Sequence, residues 1–507
     1  MKASDLLVEC LEVEGVERVF GLPGEELEDL LFSLRDSEVQ FVPVRHEQGA
    51  AFMADVHGRL TGEAGVCLST LGPGATNLLT GVADAHLDKS PLVAITGQGG
   101  LERLHKESHQ ALDVVRMFEP VVKWNAQISD PAVVAESVRK AFKLAEFEKP
   151  GATHLEFPED VAAEATDESP LPERERVRRP DPDPESVARA AAVIDAADRP
   201  VVLAGNGAVR TRAAESLRAF VTGIGMPVVA TYMGKGAVSD RLPNSLMTLE
   251  SGPDREAADV IRRADCVVAV GYDIAEHDPA SWNPDLDTRI VHVDHEPAEV
   301  YRHYNPDVEI VADVSATLAA LSDRADETEG PGWCAEARER IVENAMNKPD
   351  VDDPFSVRRA LPLLREAMAD EDVLISDVGS HKMAIARHFP VYEPNTCIVS
   401  NGLASMGIGV PGGLAAGVAV DGNVVVATGD GGFLMNAAEL ETATRFDRAY
   451  TVVVFDDEDY GLISEKQRNH TGEAFGTRLS SPDLVTFAES FGIDGYRPET
   501  WAEVERV

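Results

Sequence analysis

The sequence predicts an α/β chain of three consecutive domains, each a mostly parallel sheet flanked by helices. Three observations carry this. Short apolar runs alternate with longer amphipathic stretches along the whole chain, the pattern of strand–helix–strand units. The stretch 167–185, DESPLPERERVRRPDPDPE, has five prolines and no apolar period, so it reads as a linker. Polar residues near 328–332 and the acidic stretch 348–354 mark a second boundary. The 507 residues then divide into domains at 1–168, 187–330 and 352–507, with 169–186 as the linker.

In the first domain the runs 41–44, 65–70 and 91–96 read as strands, with a helical pattern over 48–61. In the second, strands are expected at 200–204, 226–230, 266–270 and 289–293. The third repeats the alternation at 373–376, 396–400, 424–428 and 451–455, with an amphipathic helix from about 436 to 445.

Composition removes several function classes. Hydrophobic residues make up 44% and charged residues 26%, too apolar for a disordered chain. Asp plus Glu total 88 against 46 Lys plus Arg, a formal net charge of −42. Such a surface repels nucleic acid and anionic lipid, so neither is an expected partner. Only 11 of the basic residues are Lys. An acidic, Lys-poor surface fits a halophilic, salt-adapted cytoplasmic protein, since molar salt shortens the Debye length to about 3 Å. The five Cys form no CxxC pair, which argues against a disulfide framework or a zinc cluster. The opening MKASDLLVEC carries an acid inside its apolar pattern, so it is no signal peptide, and no run of about 18 uncharged apolar residues predicts a membrane span.

The strongest chemical signal begins at Val424. The run VVVATGDGGF is a buried strand ending in Gly429-Asp430-Gly431-Gly432. Glycines there let backbone amides approach a phosphate, and the Asp430 carboxylate suits a hard cation. The next strand ends in Asp456-Asp457-Glu458-Asp459. The unit places Asp430 and Asp457 at neighbouring strand ends, where open α/β sheets bind ligands. Two carboxylates, a backbone carbonyl and diphosphate oxygens would complete an octahedral Mg²⁺ shell. On spacing alone, a tight glycine turn beside a solvated acidic loop fits equally well.

A GDG turn followed 27 positions later by a metal-binding Asn or Asp resembles the thiamine diphosphate signature. Residues 45–55, RHEQGAAFMAD, residues 71–78, LGPGATNL, and the opening VFGLPGE at 19–25 are similar to the N-terminal domain of the acetohydroxyacid synthase and pyruvate oxidase group. Within that group the chain most resembles the catabolic, flavin-independent α-acetolactate synthases. Residues 109–123 (HQALDVVRMFEPVVK), 271–283 (GYDIAEHDPASWN) and 400–407 (SNGLASMG) carry this likeness. The resemblance covers essentially the whole chain. It implies a thiamine diphosphate-binding fold in both end domains and a Rossmann-like middle domain. It further implies condensation of two pyruvate molecules to 2-acetolactate with loss of CO₂. Pyruvate oxidase, 2-oxo acid decarboxylase and a non-catalytic homologue remain as alternatives. Flavin-dependent relatives carry a different, Arg- and Asp-rich segment where this chain has GYDIAEHDP, so FAD is not expected. Gly205-Asn206-Gly207 also lacks the GxGxxG spacing of a dinucleotide turn.

The resemblance also implies roles. Glu47 would hydrogen-bond the aminopyrimidine ring, and Gln110 would reach the substrate side of the cofactor. Met406 would hold the cofactor bent, and Gly402 would offer its carbonyl to the pyrimidine amino group. Gly379, Ser380 and His381 would hold the diphosphate with Asp430, Gly431 and Gly432. Asp430, Asp457 and the carbonyl of Asp459 would hold Mg²⁺. The Glu47 domain of one subunit would face the diphosphate domain of another, so a homodimer or homotetramer is expected. Residues 501–507 read as the start of a helix that family members complete before a final strand, so the C-terminal end is expected to be incomplete.

Overall fold

A computed structural model describes every residue except 250–254, 349 and 351–352. The expected start of the third domain, residue 352, lies outside the described residues. Three all-parallel sheets follow one another along the chain. The first holds β1 (Arg18–Gly21), β2 (Gln40–Pro43), β3 (Gly65–Ser69), β4 (Leu92–Gln98), β5 (Trp124–Gln127) and β6 (Ala152–Pro158), in the order β2-β1-β3-β4-β6-β5. The second holds β7 (Pro200–Ala204), β8 (Val228–Ala230), β9 (Ser245–Thr248), β10 (Cys266–Val270), β11 (Arg289–Asp294) and β12 (Val308–Val311), in the order β12-β11-β10-β7-β8-β9. The third holds β13 (Val373–Ser376), β14 (Cys397–Val399), β15 (Val424–Gly429) and β16 (Thr451–Phe455), in the order β14-β13-β15-β16. Every strand read from an apolar run is present, with small shifts at the ends.

Two local readings change. The helix expected from about 436 is two helices, Asp430–Asn436 and Glu439–Arg445. Helix therefore begins at the GDGG run itself, because a Cβ at Gly432 would lie 3.1 Å from the Asp377 carboxylate and glycine lets the helix close against it. The strand β6 has no apolar run. Its polar residues are buried but paired: His154 with Thr96, and Glu156 with Gln98 and Gln127.

The end domains share one core. Helix Glu47–Thr61 packs on helix Gly409–Ala419, and a single cluster joins Ala50, Met53 and Val56 to Ile375, Leu414, Ala415 and Val426. Beside it lies a buried knot of charge. Arg59 grips Asp55 through two bonds of 2.9 Å, reaches Asp88 at 2.6 Å and Asp84 at 3.4 Å, and donates to the carbonyl of Val399. Asp84 and Asp88 in turn hold residues 400–405: Ser400 Oγ and the Ser405 amide donate to Asp84, and the Asn401 and Gly402 amides donate to Asp88. Burial and the two neighbouring carboxylates push Asp84 well above the usual carboxylate range. The middle domain joins the same knot, because Asn206 donates to the carbonyl of Asp88.

Arg59 is the cation at the centre of three buried carboxylates, so its loss leaves them uncompensated. Arg59→Ala is expected to lower stability by about 3–5 kcal/mol, read as a fall in the urea midpoint. Arg176→Ala, which removes an exposed pair with Glu63, should leave the midpoint unchanged.

Candidate active site

The register of β15 against β16 sets the site. Gly429 pairs with Phe455, so Asp430 and Asp457 leave adjacent parallel strands side by side. Asp430 is buried and begins a helix. Its Oδ2 accepts from Ser481 Oγ at 3.2 Å, a hydroxyl also 2.8 Å from Asp456. Asp457 is exposed, and its Oδ1 accepts from the Asp459 amide at 3.2 Å. Burial and then the Asp456 charge hold the Asp430 carboxyl above its ordinary range. Burial and then the Asp430 and Asp459 charges do the same at Asp457. A buried carboxyl that raises its neighbour is suited to a divalent cation, which would reverse that repulsion. One oxygen of the Asp459 carboxylate, Oδ2, is committed elsewhere, to Ser464 Oγ at 2.6 Å and Arg468 at 3.4 Å, while its Oδ1 is buried without a partner. Among the described residues no three His, Cys, Asp or Glu side chains form a metal cage. A cation here would thus need oxygens from a ligand as well as from the protein.

His381 supplies the next feature. Its ring is buried, stacks on Phe455 at 6.1 Å between centroids, and leaves Nε2 with no partner. Burial pulls its imidazole down to about 4, so the ring is neutral near pH 7. An unpartnered buried ring nitrogen beside two cation-ready carboxyls fits a diphosphate. A Cβ at Gly379 would lie 2.9 Å from the His381 ring, and one at Gly431 would lie 3.0 Å from Tyr460 and 3.5 Å from the Met406 methyl. Ser380 and Asp457 both border Gly461. Gly379, Ser380, His381, Met406, Asp430, Gly431 and Asp457 are thereby brought around one strand-end crevice. Gly432 points inward onto Asp377 rather than toward the crevice.

Asp377, which the strand pattern left unremarked, organises this end of the sheet. Its buried carboxylate accepts from the amides of Val378 (2.6 Å), Gly407 (2.9 Å) and Gly409 (3.0 Å) and from Thr428 Oγ1 (3.3 Å). It anchors the C-terminal side of the loop bearing Met406, while Asp84 and Asp88 anchor the side bearing Gly402. An acid directly after a buried strand was the signal available for it.

Glu47 begins its helix and is 6% exposed. Its Oε2 accepts from Asn77 at 3.0 Å, on its own domain. The preceding residues rest on the third domain, where Glu439 accepts from the Arg45 and His46 amides. Gln110 is exposed on a loop, at φ +55°, with its carbonyl against the turn at Gly72. The contacts of Glu47 and Gln110 within this chain therefore do not run to the Asp430–Asp457 crevice.

A second crevice, in the middle domain, is filled by the chain itself. The strand order reverses between β7 and β10, the point where open α/β sheets bind dinucleotides. The helix Asn206–Arg210 starts there, but its first amide, from Asn206, is held by both Glu276 oxygens at 3.0 Å. Glu276 also accepts from Thr231 and from the Asp273 amide. A Cβ at Gly207 would lie 2.5 Å from the Gly271 backbone, so these two turns are pressed together. Lys149 of the first domain closes the rim on Asp273 and Asp294.

Comparison with known proteins agrees with this arrangement along the chain. Residues 1–117 match the family described as thiamine pyrophosphate enzyme, N-terminal TPP binding domain. Residues 187–321 match its central domain and 377–507 its C-terminal TPP binding domain. Curated relatives include an acetolactate synthase of Bacillus subtilis, 34% identical over 98% of this chain and 89% of its own length. A probable acetolactate synthase large subunit of Methanocaldococcus jannaschii is 34% identical over 98% of this chain and 87% of its own. A catabolic acetolactate synthase of Raoultella terrigena is 33% identical over 99% and 91%. With three domains matched in order and relatives of this identity aligned along nearly its full length, the chain belongs to the thiamine pyrophosphate enzyme family.

Proposed function

We propose that this chain is an acetolactate synthase, condensing two pyruvate molecules into 2-acetolactate with release of CO₂ on thiamine diphosphate and Mg²⁺. The observation that carries the reading is the strand-end crevice, where two mutually repelling carboxyls lie beside a buried imidazole with an unpartnered nitrogen. The kinship with acetolactate synthases supports the choice of reaction.

When bound, the coenzyme supplies a carbon nucleophile and an electron sink for decarboxylation. The residues supply its placement. Asp430, Asp457 and the Asp459 carbonyl would hold Mg²⁺. Gly379, Ser380, His381 and Gly431 would face the diphosphate, with the unpartnered His381 Nε2 on that side. Gly402 and Met406, clamped from both sides by Asp84, Asp88 and Asp377, would hold the pyrimidine ring and its bend. Glu47, ionised or protonated at the aminopyrimidine, would move the proton that activates the coenzyme. Gln110 would border the substrate. Since Glu47 and Gln110 contact their own domain here, a second copy of the chain is the natural source of both for each crevice, giving a homodimer or a tetramer of such pairs. Closing the crevice with that copy would exclude water, which otherwise diverts the reaction to acetaldehyde.

FAD has no place in this reading, because Glu276 already satisfies the middle-domain helix start that a dinucleotide phosphate would use. No helix among the described residues is long and apolar enough to cross a membrane. The acidic surface makes high salt the proper assay medium, and a cytoplasmic setting suits it.

The purified protein with pyruvate, thiamine diphosphate and Mg²⁺ in high salt should release CO₂ and acetolactate and show no yellow chromophore. Acetaldehyde or peroxide as main product would reassign the reaction to a decarboxylase or an oxidase. Glu47→Gln should lower turnover by about 10²–10⁴-fold, the range of one general acid–base group, with the fold unchanged by circular dichroism.

Glu276 gives a pH test. Burial, with the Asp273 charge beside it, pushes its carboxyl from 4.5 up to about 8. Between those values the folded chain keeps a proton that the unfolded chain has lost, so stability falls as pH rises through the window. Glu276→Gln removes that slope. Its urea midpoint should gain on the parent progressively from pH 5 to pH 8.

A further inference from the structure

We propose that Glu439, on the diphosphate domain, is a positioning residue for Glu47: it fixes the backbone that enters the helix Glu47 begins. The inference rests on the reading of Glu47 given above, and the experiment separates the two.

Glu439 is 1% exposed and lies on the helix Glu439–Arg445, a short step beyond the helix that Asp430 starts. Its Oε1 accepts from the Arg45 amide at 3.0 Å and the His46 amide at 3.1 Å, across 394 and 393 residues of chain. Its Oε2 accepts from Thr442 Oγ1 at 2.7 Å, which fixes the carboxylate plane. On the far side a Cβ at Gly49 would lie 2.7 Å from Oε1, so the carboxylate nests in the first turn of the helix only because residue 49 is glycine.

A second contact runs in parallel. Asn436 Nδ2 donates to the Gly407 carbonyl at 2.8 Å and lies 3.4 Å from Gln48 Oε1. The segment that begins with Asp430 thus touches both the Met406 loop and the residues on either side of Glu47. Among the described residues Glu47 has one side-chain hydrogen-bond partner, Asn77, and takes its remaining orientation from its backbone. Glu439 meets two amides and a hydroxyl, none of them from the residues around the crevice, so it acts through Glu47 rather than on a substrate. A carboxylate that must reach one ring nitrogen loses reactivity with displacements of about 1 Å or less, so backbone fixation is the lever.

The test is Glu439→Gln, which keeps the shape but sets an NH₂ or a poorer acceptor against the two amides. In the cofactor-free protein, amide hydrogen exchange of peptide 44–52 should rise about tenfold while peptide 53–61 is unchanged. With thiamine diphosphate and Mg²⁺ bound, hydrogen–deuterium exchange at the thiazolium C2 should fall about tenfold or more, with cofactor affinity within about threefold of the parent. Glu439→Asp should fall between. Gly49→Ala crowds the same carboxylate from the helix side and should give the same selective loss, which keeps the test open should Glu439→Gln fold poorly. Parental exchange at both sites would overturn the proposal. So would a C2 defect that saturating cofactor restores, because Glu439 would then act only on binding. Glu47→Gln is the control: parental C2 exchange in that variant would overturn the role of Glu47 itself, whatever Glu439→Gln does.

Discussion

Two like charges held side by side at the ends of β15 and β16 are the constraint on which the rest of the structure depends. The backbone pairing of Gly429 with Phe455 brings Asp430 and Asp457 together, and no cation among the described residues lowers either carboxyl. Ser481 can donate its one proton to Asp430 or to Asp456, not to both. The arrangement is unfavourable as it stands and would become favourable with a divalent ion and an anionic ligand. Asp459 makes the point by contrast. Hydrogen bonds from Ser464 and Thr477 hold its carboxyl below the ordinary range.

A cation site of the kind proposed is useful only if the remaining contacts are rigid. The loop 400–407 carries no helix or strand of its own and would be mobile if left to solvent. It is instead tied at one end to Asp84 and Asp88 of the first domain and at the other to Asp377 of the third. Arg59 makes the first tie possible by compensating carboxylates that could not otherwise be buried together. The shared apolar core then holds the two domains at a fixed spacing. The middle domain contributes to the same junction through Asn206, with its own ligand crevice closed by Glu276 and Lys149.

How much of this could be read from the sequence depended on how local each cause is. A strand such as 266–270 was legible because it is buried on both faces and so purely apolar. β6 was not, because His154 and Glu156 interrupt it, and only their cross-strand partners make them compatible with burial. Asp430 and Asp457 were legible because a glycine turn and an acidic turn follow successive strands. Glu47 has no local signature beyond a helix start; its place came from the likeness of a longer motif. Glu439, Asp84 and Asp88 were invisible for a further reason. Ser400 and Asp84 are 316 residues apart, and no periodicity within either helix marks a residue whose partner lies in another domain. The start of the helix at Asp430 was missed because glycines weigh against helix, yet Gly432 is there to let the backbone close on Asp377.

The same distinction between buried and exposed charge decides what salt can do. At molar ionic strength screening acts over about 3 Å, enough to quiet repulsion among exposed acids spread over a surface of net charge −42. The Arg59 knot is closed to ions and works at contact distance, so its strength is set by geometry and by the low local dielectric. Asp457 lies between these cases, exposed to solvent yet facing a buried Asp430. Salt can therefore relax the surface without loosening the loop that carries Met406. Competition from monovalent cations would be felt first at Asp457, and it is there, rather than in the interdomain knot, that ionic conditions reach the chemistry.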